Sequence, residues 1–259
     1  MVERILLLAG PPFGPALFRG VEARLRALAP GVRVEAAAVP FGQRAPFLPD
    51  LSGALVLAHG LAVPAALRAN AAALIVSDGP ISRLDLVTRA LLSAGPAPPT
   101  LLRPGPWTAW LRSSAGLRRA VANPYAMDRD TVAALCGPPV ASAEGRRRVA
   151  AYLHWLPSTL PVVVAACPAW AVWGDEDALY PTSEADIFDA LHGGGRVAWL
   201  PGGRFAHPEE LPWALADQVL ARAQSVGLRG LPGGSTTVVS RSTTPGLRHA
   251  AGPDENTQE

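Results

Sequence analysis

Residues 169–221 decide the fold of this chain, and they read AWAVWGDEDALYPTSEADIFDALHGGGRVAWLPGGRFAHPEELPWALADQVLA. An apolar strand ends in the acidic turn GDED, and an amphipathic helix follows it. A second apolar strand ends in a glycine-rich loop with His207 close behind, and another helix closes the unit. Short apolar runs between helical patterns are typical of parallel strands that are buried on both faces of a sheet.

The same alternation extends through the rest of the chain. The predicted strands cover 4–9, 32–39, 52–58, 72–77, 169–173 and 196–200. The predicted helices that connect them cover 15–29, 61–70, 183–192 and 208–224. Strands that alternate with helices in this way indicate the α/β class, with a parallel, doubly wound sheet of about six strands.

Two segments depart from the alternation. Residues 79–160 hold helical patterns separated by joints rich in proline and glycine, and the predicted helices there cover 83–94, 107–121, 129–136 and 144–156. We predict a helical cap inserted into one domain that spans 1–225. Residues 226–259 lack aromatic residues and are rich in glycine, serine, threonine and proline. This composition predicts a disordered tail.

The composition excludes several classes of function. With 259 residues, 49% of them hydrophobic, the chain can form one domain with a large core. The net charge of +2 gives no nucleic-acid footprint, because the arginines are scattered. Cys136 and Cys167 are too few for a disulfide framework or a cysteine metal site, and we expect no metal and no cofactor.

The ends of the chain and its apolar runs bear on location. The N-terminal apolar run at 5–9 is too short for a signal peptide, and Glu3 stands where such a peptide would be basic. No charge-free apolar stretch reaches about 18 residues, so we expect no membrane span. A cytoplasmic protein is the expectation.

The segment LVLAHGLAVPAAL at 55–67 passes from a strand through a tight turn into a helix. It resembles the G-x-S-x-G nucleophile elbow of the α/β-hydrolase family. His59 matches the residue before the nucleophile, but Gly60 stands in the position of the nucleophile itself. Since glycine has no atom that can attack or carry an acyl group, the resemblance implies that covalent catalysis is lost at this position.

The loop that supplies half of the oxyanion hole in this family corresponds here to Gly10-Pro11-Pro12. The residue after the glycine donates a backbone N–H in the family, and Pro11 has none. An offset of one residue would place Pro12 there, with the same result, whereas Phe13 could donate. Together with Gly60, Leu61 and Phe205, residues Gly10 and Pro11 are the predicted pocket residues.

Two carboxylates are candidates for the acid of a triad. The string VWGDEDALYP resembles the strand-end motif of the family and places the acid at Asp177. Asp78, at the end of strand 72–77, is a second position at which the family carries its acid. Each could instead cap a loop at a strand end.

The histidine of the triad is displaced. Without gaps, PGGRFAHPEELP puts Arg204 on the expected glycine and Phe205 on the expected histidine, and His207 lies two residues later. His207 could reach the pocket if the loop has shifted. It could equally be a surface or capping residue near the start of the final helix.

The resemblance covers about 4–224 and implies a shortened member of the family. The antiparallel strands that usually precede the first core strand are missing, and a proline-rich loop replaces the helix expected between 39 and 52. The departures at Gly60, Pro11 and Phe205 affect three separate parts of one catalytic site. They predict a degenerate α/β-hydrolase without serine-hydrolase activity.

Three hypotheses for function follow. The first is binding of a small apolar molecule or of a protein partner. The second is a non-covalent acid/base enzyme, of the cyclase, lyase or isomerase type, with His59, Asp78, Asp177 and His207 as its candidate groups. The third is a hydrolase whose nucleophile is displaced. Aromatic residues of the cap would pack it onto the core or line an apolar cavity: Trp107, Trp110, Tyr125, Tyr152 and Trp155.

Overall fold

The structure is a computed structural model, and it describes residues 2–39, 48, 50–84, 88, 102–113, 118, 121–123, 128–156 and 160–228. Most of the predicted tail, most of the helix predicted at 83–94, and Tyr125 lie outside these residues.

Six strands form one sheet with every neighbouring pair parallel. They are β1 (Arg4–Ala9), β2 (Arg33–Ala38), β3 (Leu51–His59), β4 (Ala71–Ser77), β5 (Ala169–Gly174) and β6 (Val197–Leu200). Their order across the sheet is β2-β1-β3-β4-β5-β6. The central strands are buried along most of their length, because helices cover both faces. The predicted parallel sheet of six strands is confirmed.

Eight α-helices are described. They are α1 (Arg19–Leu28), α2 (Val63–Ala66), α3 (Pro104–Leu111), α4 (Arg129–Cys136), α5 (Ala143–Trp155), α6 (Thr182–Leu191), α7 (His207–Glu210) and α8 (Pro212–Ser225). The first and the last of these pack against each other, which joins the two ends of the folded domain. Leu228 continues from α8 and is buried, and its N–H donates to Ala223 O at 3.0 Å.

The helix after β3 is shorter than the predicted 61–70. A 3-10 turn at Gly60–Ala62 precedes α2, and the backbone tightens again at once behind it. There Arg68 N donates to Ala65 O at 3.2 Å, an i−3 bond that ends the α-helix.

The closing helix is broken into α7 and α8. The break falls at Leu211, just before Pro212, and Leu211 has the non-helical angles φ −126° and ψ 47°. A proline has no N–H to continue the ladder, and its ring disfavours helical angles in the residue before it. The single helix predicted at 208–224 was therefore wrong in its first turns.

The described part of 79–160 holds α3, α4 and α5 and contains no strand. Asp128 caps α4 by accepting from Thr131 N at 2.7 Å, and Ser142 caps α5 by accepting from Gly145 N at 2.9 Å. Helix α3 ends at Leu111, well before the predicted end at 121, since a turn follows it.

Aromatic residues fasten the cap. Trp107 Nε1 on α3 donates to Cys136 O at the end of α4, at 3.1 Å. Tyr152 on α5 is buried, and its hydroxyl donates to the carbonyl of Leu61, the residue directly after Gly60. The cap is thus attached to the turn at which β3 ends.

Candidate functional site

Four polar side chains meet at the carboxyl edge of the sheet. His59 is the last residue of β3, Ser77 is the last of β4, and Asp78 follows it directly. His207 begins α7, in the connection after β6. The carboxyl ends of parallel strands lie at one edge of a sheet, which is where α/β proteins place their functional groups.

The four side chains form one hydrogen-bonded chain. Asp78 Oδ2 lies 2.7 Å from His207 Nδ1, and His207 Nε2 lies 2.9 Å from Ser77 Oγ. Ser77 Oγ also lies 3.1 Å from His59 Nδ1. The first three members have the mutual contacts of an acid–histidine–serine triad, in which the acid orients the ring and the far nitrogen faces the hydroxyl.

The donors and acceptors assign a direction to each bond. With Asp78 ionised, His207 Nδ1–H donates to it, so Nε2 of the neutral ring accepts from the Ser77 hydroxyl. The oxygen of Ser77 then accepts from His59 Nδ1–H. In this arrangement the Ser77 hydroxyl is hydrogen-bonded to one ring nitrogen of each histidine. Every proton that lies between two members of the network therefore has an acceptor.

The network is closed to solvent. All four side chains have 0% exposure. Burial holds the pKa of His59 well below its usual range, and protonation of His207 would lower it further. Burial raises the pKa of Asp78, while the hydrogen bond from His207, and its charge when protonated, act in the opposite direction.

Asp78 is held in place through its backbone as well as its side chain. Its φ is 31°, the left-handed region that residues with a Cβ rarely adopt. Gly174 N, at the end of β5, donates to Asp78 Oδ1 at 3.0 Å, and Gly60 N donates to Asp78 O at 3.1 Å. Strain of this kind persists only where surrounding contacts enforce it, and it concentrates at functional sites.

Phe205 fills the space next to Gly60. A Cβ at position 60 would lie 2.8 Å from Phe205 Cζ, and Gly60 has φ +59°. The ring of Phe205 stacks on His59 with 4.8 Å between centroids, and Phe13 and Tyr180 each lie 5.5 Å from it. The position from which a nucleophile would project is therefore occupied by a packed aromatic cluster.

The loop after β1 offers no free N–H from the residues predicted for an oxyanion hole. Pro11 and Pro12 have no N–H, and Phe13 N donates to Gly10 O at 3.1 Å. Gly10 lies against the turn after β3, since a Cβ there would come 2.2 Å from Ala62 N. The N–H of Phe13 is already used within its own turn. An alignment that places Phe13 at the oxyanion position therefore gains no free donor.

The sequence motif places the acid of the triad at Asp177, whereas in the structure His207 contacts Asp78. Asp177 lies in the turn after β5, where its Oδ1 accepts from Leu179 N at 2.8 Å. The sequence motif therefore identified the acidic turn correctly but not the carboxylate that contacts His207. The sequence around Asp78 has no comparable motif. Only the packing of the strand ends therefore shows which of the two carboxylates contacts His207.

His207 is fully buried and in contact with Asp78, so it is not a surface residue. Arg204, three positions before His207, anchors the same loop. Its guanidinium pairs with Glu176 at 3.1 Å and donates to Val121 O at 3.2 Å. Through Arg204, the loop thus connects the acidic turn to the cap. The same loop places Phe205 beside Gly60 and His207 in contact with Asp78.

Sequence reasoning missed Ser77. It precedes Asp78 at the end of a buried strand, and such a serine in the string AALIVSD gives no motif. The available signal was its position, because a hydroxyl at a strand end lies at the edge that gathers the other candidates.

Comparisons with known proteins identify the architecture. No protein-family model and no curated protein match the chain. Among solved structures, an esterase from Thermogutta terrifontis is 16% identical, with 87% of this chain and 91% of that chain covered and a TM-score of 0.59. The epoxide hydrolase CorEH is 14% identical, with 86% and 92% covered and a TM-score of 0.65. Cfl2 from Burkholderia cenocepacia is 19% identical, with 85% and 88% covered and a TM-score of 0.61.

The chain has the α/β-hydrolase fold. Identities this low show the fold alone, so the activities of those proteins are not transferred. In this fold Gly60 lies in the turn after β3, Asp78 directly follows β4, and His207 lies in the connection after β6.

The described residues contain no group of three or more histidine, cysteine, aspartate and glutamate side chains placed to hold a metal ion. They also contain no helix with the length and apolar character needed to cross a membrane.

Proposed function

We propose that this α/β-hydrolase-fold protein does not carry out serine hydrolysis and acts by binding, with a protein as its favoured partner. The observation that carries the first part is the contact between Gly60 and Phe205. A serine Oγ at position 60 would have to project through a Cβ that lies 2.8 Å from the Phe205 ring. Position 60 therefore has no nucleophilic atom, and the Phe205 ring occupies the room for one.

The aromatic cluster also argues against a small apolar ligand at this position. Phe13, Phe205 and Tyr180 are each at most 2% exposed and pack on one another beside Gly60. A ligand at the elbow would have to displace them.

Exposed aromatic side chains support a protein partner. Trp213 is 68% exposed at the start of α8, and Trp199 is 41% exposed on the edge strand β6. Tryptophan and arginine are the residues that most often dominate binding energy at protein interfaces, and Arg24 lies over the Trp213 ring at 5.5 Å.

A fluorophosphonate probe tests the loss of hydrolysis. We expect no stoichiometric labelling of the purified protein and no turnover of short p-nitrophenyl esters. Gly60→Ser alone should also remain unlabelled, because Phe205 still fills the site and Pro11 still lacks an N–H. Labelling of one serine per chain in the wild type would overturn the proposal.

The second candidate is a hydrolase with its nucleophile displaced to Ser77. The distances of 2.9 Å from Ser77 Oγ to His207 Nε2 and 2.7 Å from His207 Nδ1 to Asp78 Oδ2 favour it. Its weakness is access, since Ser77 is completely buried and also contacts His59. Labelling that disappears in Ser77→Ala would establish this candidate over the first.

Binding is tested with Trp213→Ala and Trp199→Ala in capture experiments from the native host. A protein retained by the wild type and by Ser77→Ala, but lost with Trp213→Ala, supports partner binding through the face that carries Trp213. Retention that is independent of both tryptophans would contradict it.

A further inference from the structure

Two arginines converge on one tryptophan at the amino end of the sheet. Trp170 is the second residue of β5, and Arg196 comes directly before β6, whose register places the two residues side by side. The Arg196 guanidinium carbon lies 5.7 Å from the Trp170 ring centroid, and that of Arg222, in the last turns of α8, lies 5.9 Å from it. The two guanidinium groups therefore share one aromatic neighbour.

Neither guanidinium has an acidic partner among the described residues. Both side chains are half-buried, and neither makes an ion pair within 4.0 Å or a side-chain hydrogen bond. Asp189 is nearby in the chain fold, but its oxygens accept from Gly195 N at 3.1 Å and Arg196 N at 2.6 Å instead of pairing with a guanidinium.

A third arginine provides a matched comparison. Arg24 lies over Trp213 at 5.5 Å, in the same kind of stacking contact. It also pairs with Asp217 at 3.7 Å. Arg24 thus has a carboxylate partner, and Arg68, which lies over the Trp155 ring at 5.6 Å, donates to Pro64 O at 2.5 Å. The Trp170 pair has two cations and, among the described residues, no carboxylate.

Two like charges that are partly removed from water repel each other. Burial lowers the pKa of Arg222, and the charge of Arg196 adds to this effect. The carboxyl end of α8 offers about half an elementary negative charge, which offsets only part of two full positive charges. Stacking on indole holds the guanidinium planes but does not neutralise them.

We propose that Arg196 and Arg222 form an anion site for a phosphate group. Each guanidinium presents parallel N–H donors that match two oxygens of one anion. A phosphate dianion has both the oxygens and the two charges that the pair needs, while a carboxylate would balance only one of them. Both guanidinium groups lie within about 6 Å of the Trp170 ring centroid.

The site is separate from the buried network at the other edge of the sheet. Trp170 and Gly174 lie at opposite ends of β5, about 13 Å apart along the strand, and it is Gly174 that contacts Asp78. Phosphate binding is thus independent of whether the protein hydrolyses anything, and its failure would leave the proposed function untouched.

Calorimetric titration with inorganic phosphate tests the site. The wild type should bind one phosphate per chain, and Arg196→Gln and Arg222→Gln should each weaken binding at least tenfold. Arg24→Gln is the control, since it removes an arginine of the same geometry elsewhere, and it should leave binding unchanged. Acetate at the same ionic strength should bind at least tenfold more weakly than phosphate. No saturable binding by the wild type, or equal loss in Arg24→Gln, would refute the site.

A measurement on the wild type covers the case in which a variant does not fold. In ¹⁵N spectra, phosphate should shift the Trp170 indole N–H and the Arg196 and Arg222 Nε–H signals along one saturation curve. Phenyl phosphate should give the same shifts if the site takes phosphate esters, and none if it is specific for the free ion. Phosphate shifts confined to other residues would refute the site.

Discussion

At the scale of single residues, the packing at the end of β3 depends on the glycine at position 60. Its left-handed backbone angle suits glycine, and its missing side chain admits the Phe205 ring. Replacing it therefore tests two effects at once, the backbone strain and the contact.

Gly60→Ala should lower the free energy of unfolding by about 2–4 kcal/mol, of which strain supplies about 1–2 and overpacking the rest. Urea denaturation measures the change. Gly195→Ala is the matched control, because Gly195 has φ +68° and nothing within 4 Å of its would-be Cβ. It should cost about 1–2 kcal/mol, from strain alone. In a Phe205→Ala background the excess cost at Gly60 should vanish, and an undiminished excess would show that Phe205 is not its cause.

His59 predicts a dependence of stability on pH. Because its folded pKa lies well below 6.5, the unfolded state takes up the proton first as the pH falls. Its contribution is therefore present above pH 6.5 and lost below it, by about 1.4 kcal/mol for each pH unit. Asp78, whose pKa is raised, binds its proton more readily when folded and works in the opposite direction.

The contribution of His59 is isolated by comparing variants. Urea denaturation at pH 7.5, 6.5 and 5.5 should show a smaller loss on acidification in His59→Gln than in the wild type. His154→Gln, at an exposed position on α5, is the control and should retain the wild-type loss. Equal pH dependence in the wild type and His59→Gln would contradict the prediction.

At the scale of elements, a single carboxylate joins helix α6 to the segment after β4. Glu184 is 1% exposed, and its oxygens accept from Ile81 N at 2.8 Å, Ser82 N at 2.7 Å and Ser82 Oγ at 2.7 Å. Ile81 is three positions after Asp78 in the chain. The helix therefore helps to hold the strained turn on which the buried network depends.

Glu184→Ala should lower the free energy of unfolding by about 1.5–3 kcal/mol, because it leaves buried N–H groups without a charged acceptor. Thermal and urea denaturation measure this. Glu144→Ala is the control, since Glu144 forms exposed pairs with Arg147 and Arg148 on α5 and should matter little. A Glu184 variant as stable as the control would mean that the segment is held by other contacts.

At the scale of the whole molecule, the boundary of the folded domain can be tested by truncation. The sequence predicts a disordered tail from residue 226, but Leu228 is 6% exposed and bonded to Ala223 O. Removing 229–259 should leave the melting temperature nearly unchanged, because the tail has little apolar surface to bury. Removing 226–259 should lower it by a few degrees, since Leu228 is then lost from the core. A drop of several degrees already in the shorter truncation would show that the tail packs on the domain.

The apolar runs and their alternation with helices were sufficient to predict the order of strands in the chain and the parallel sheet. Those signals are local: a buried strand must be apolar, and a connecting helix must carry one apolar face. The positions at which helices end or are interrupted were predicted less well. The effect of Pro212 on the closing helix follows from its chemistry, but the early end of α2 depends on how closely β4 follows it.

The sequence by itself determined that position 60, in the turn after β3, carries no side chain and that Pro11 cannot donate an N–H. These are properties of single residues, and no fold can supply the missing atoms. Only the tertiary structure decided which acid faces His207, that Ser77 lies between two histidines, and that Phe205 fills the space at Gly60. Residues from β3, β4 and the loop after β6 lie far apart in the chain, and the distances between them arise only when the parallel strands align and the Arg204 loop is tied to the acidic turn.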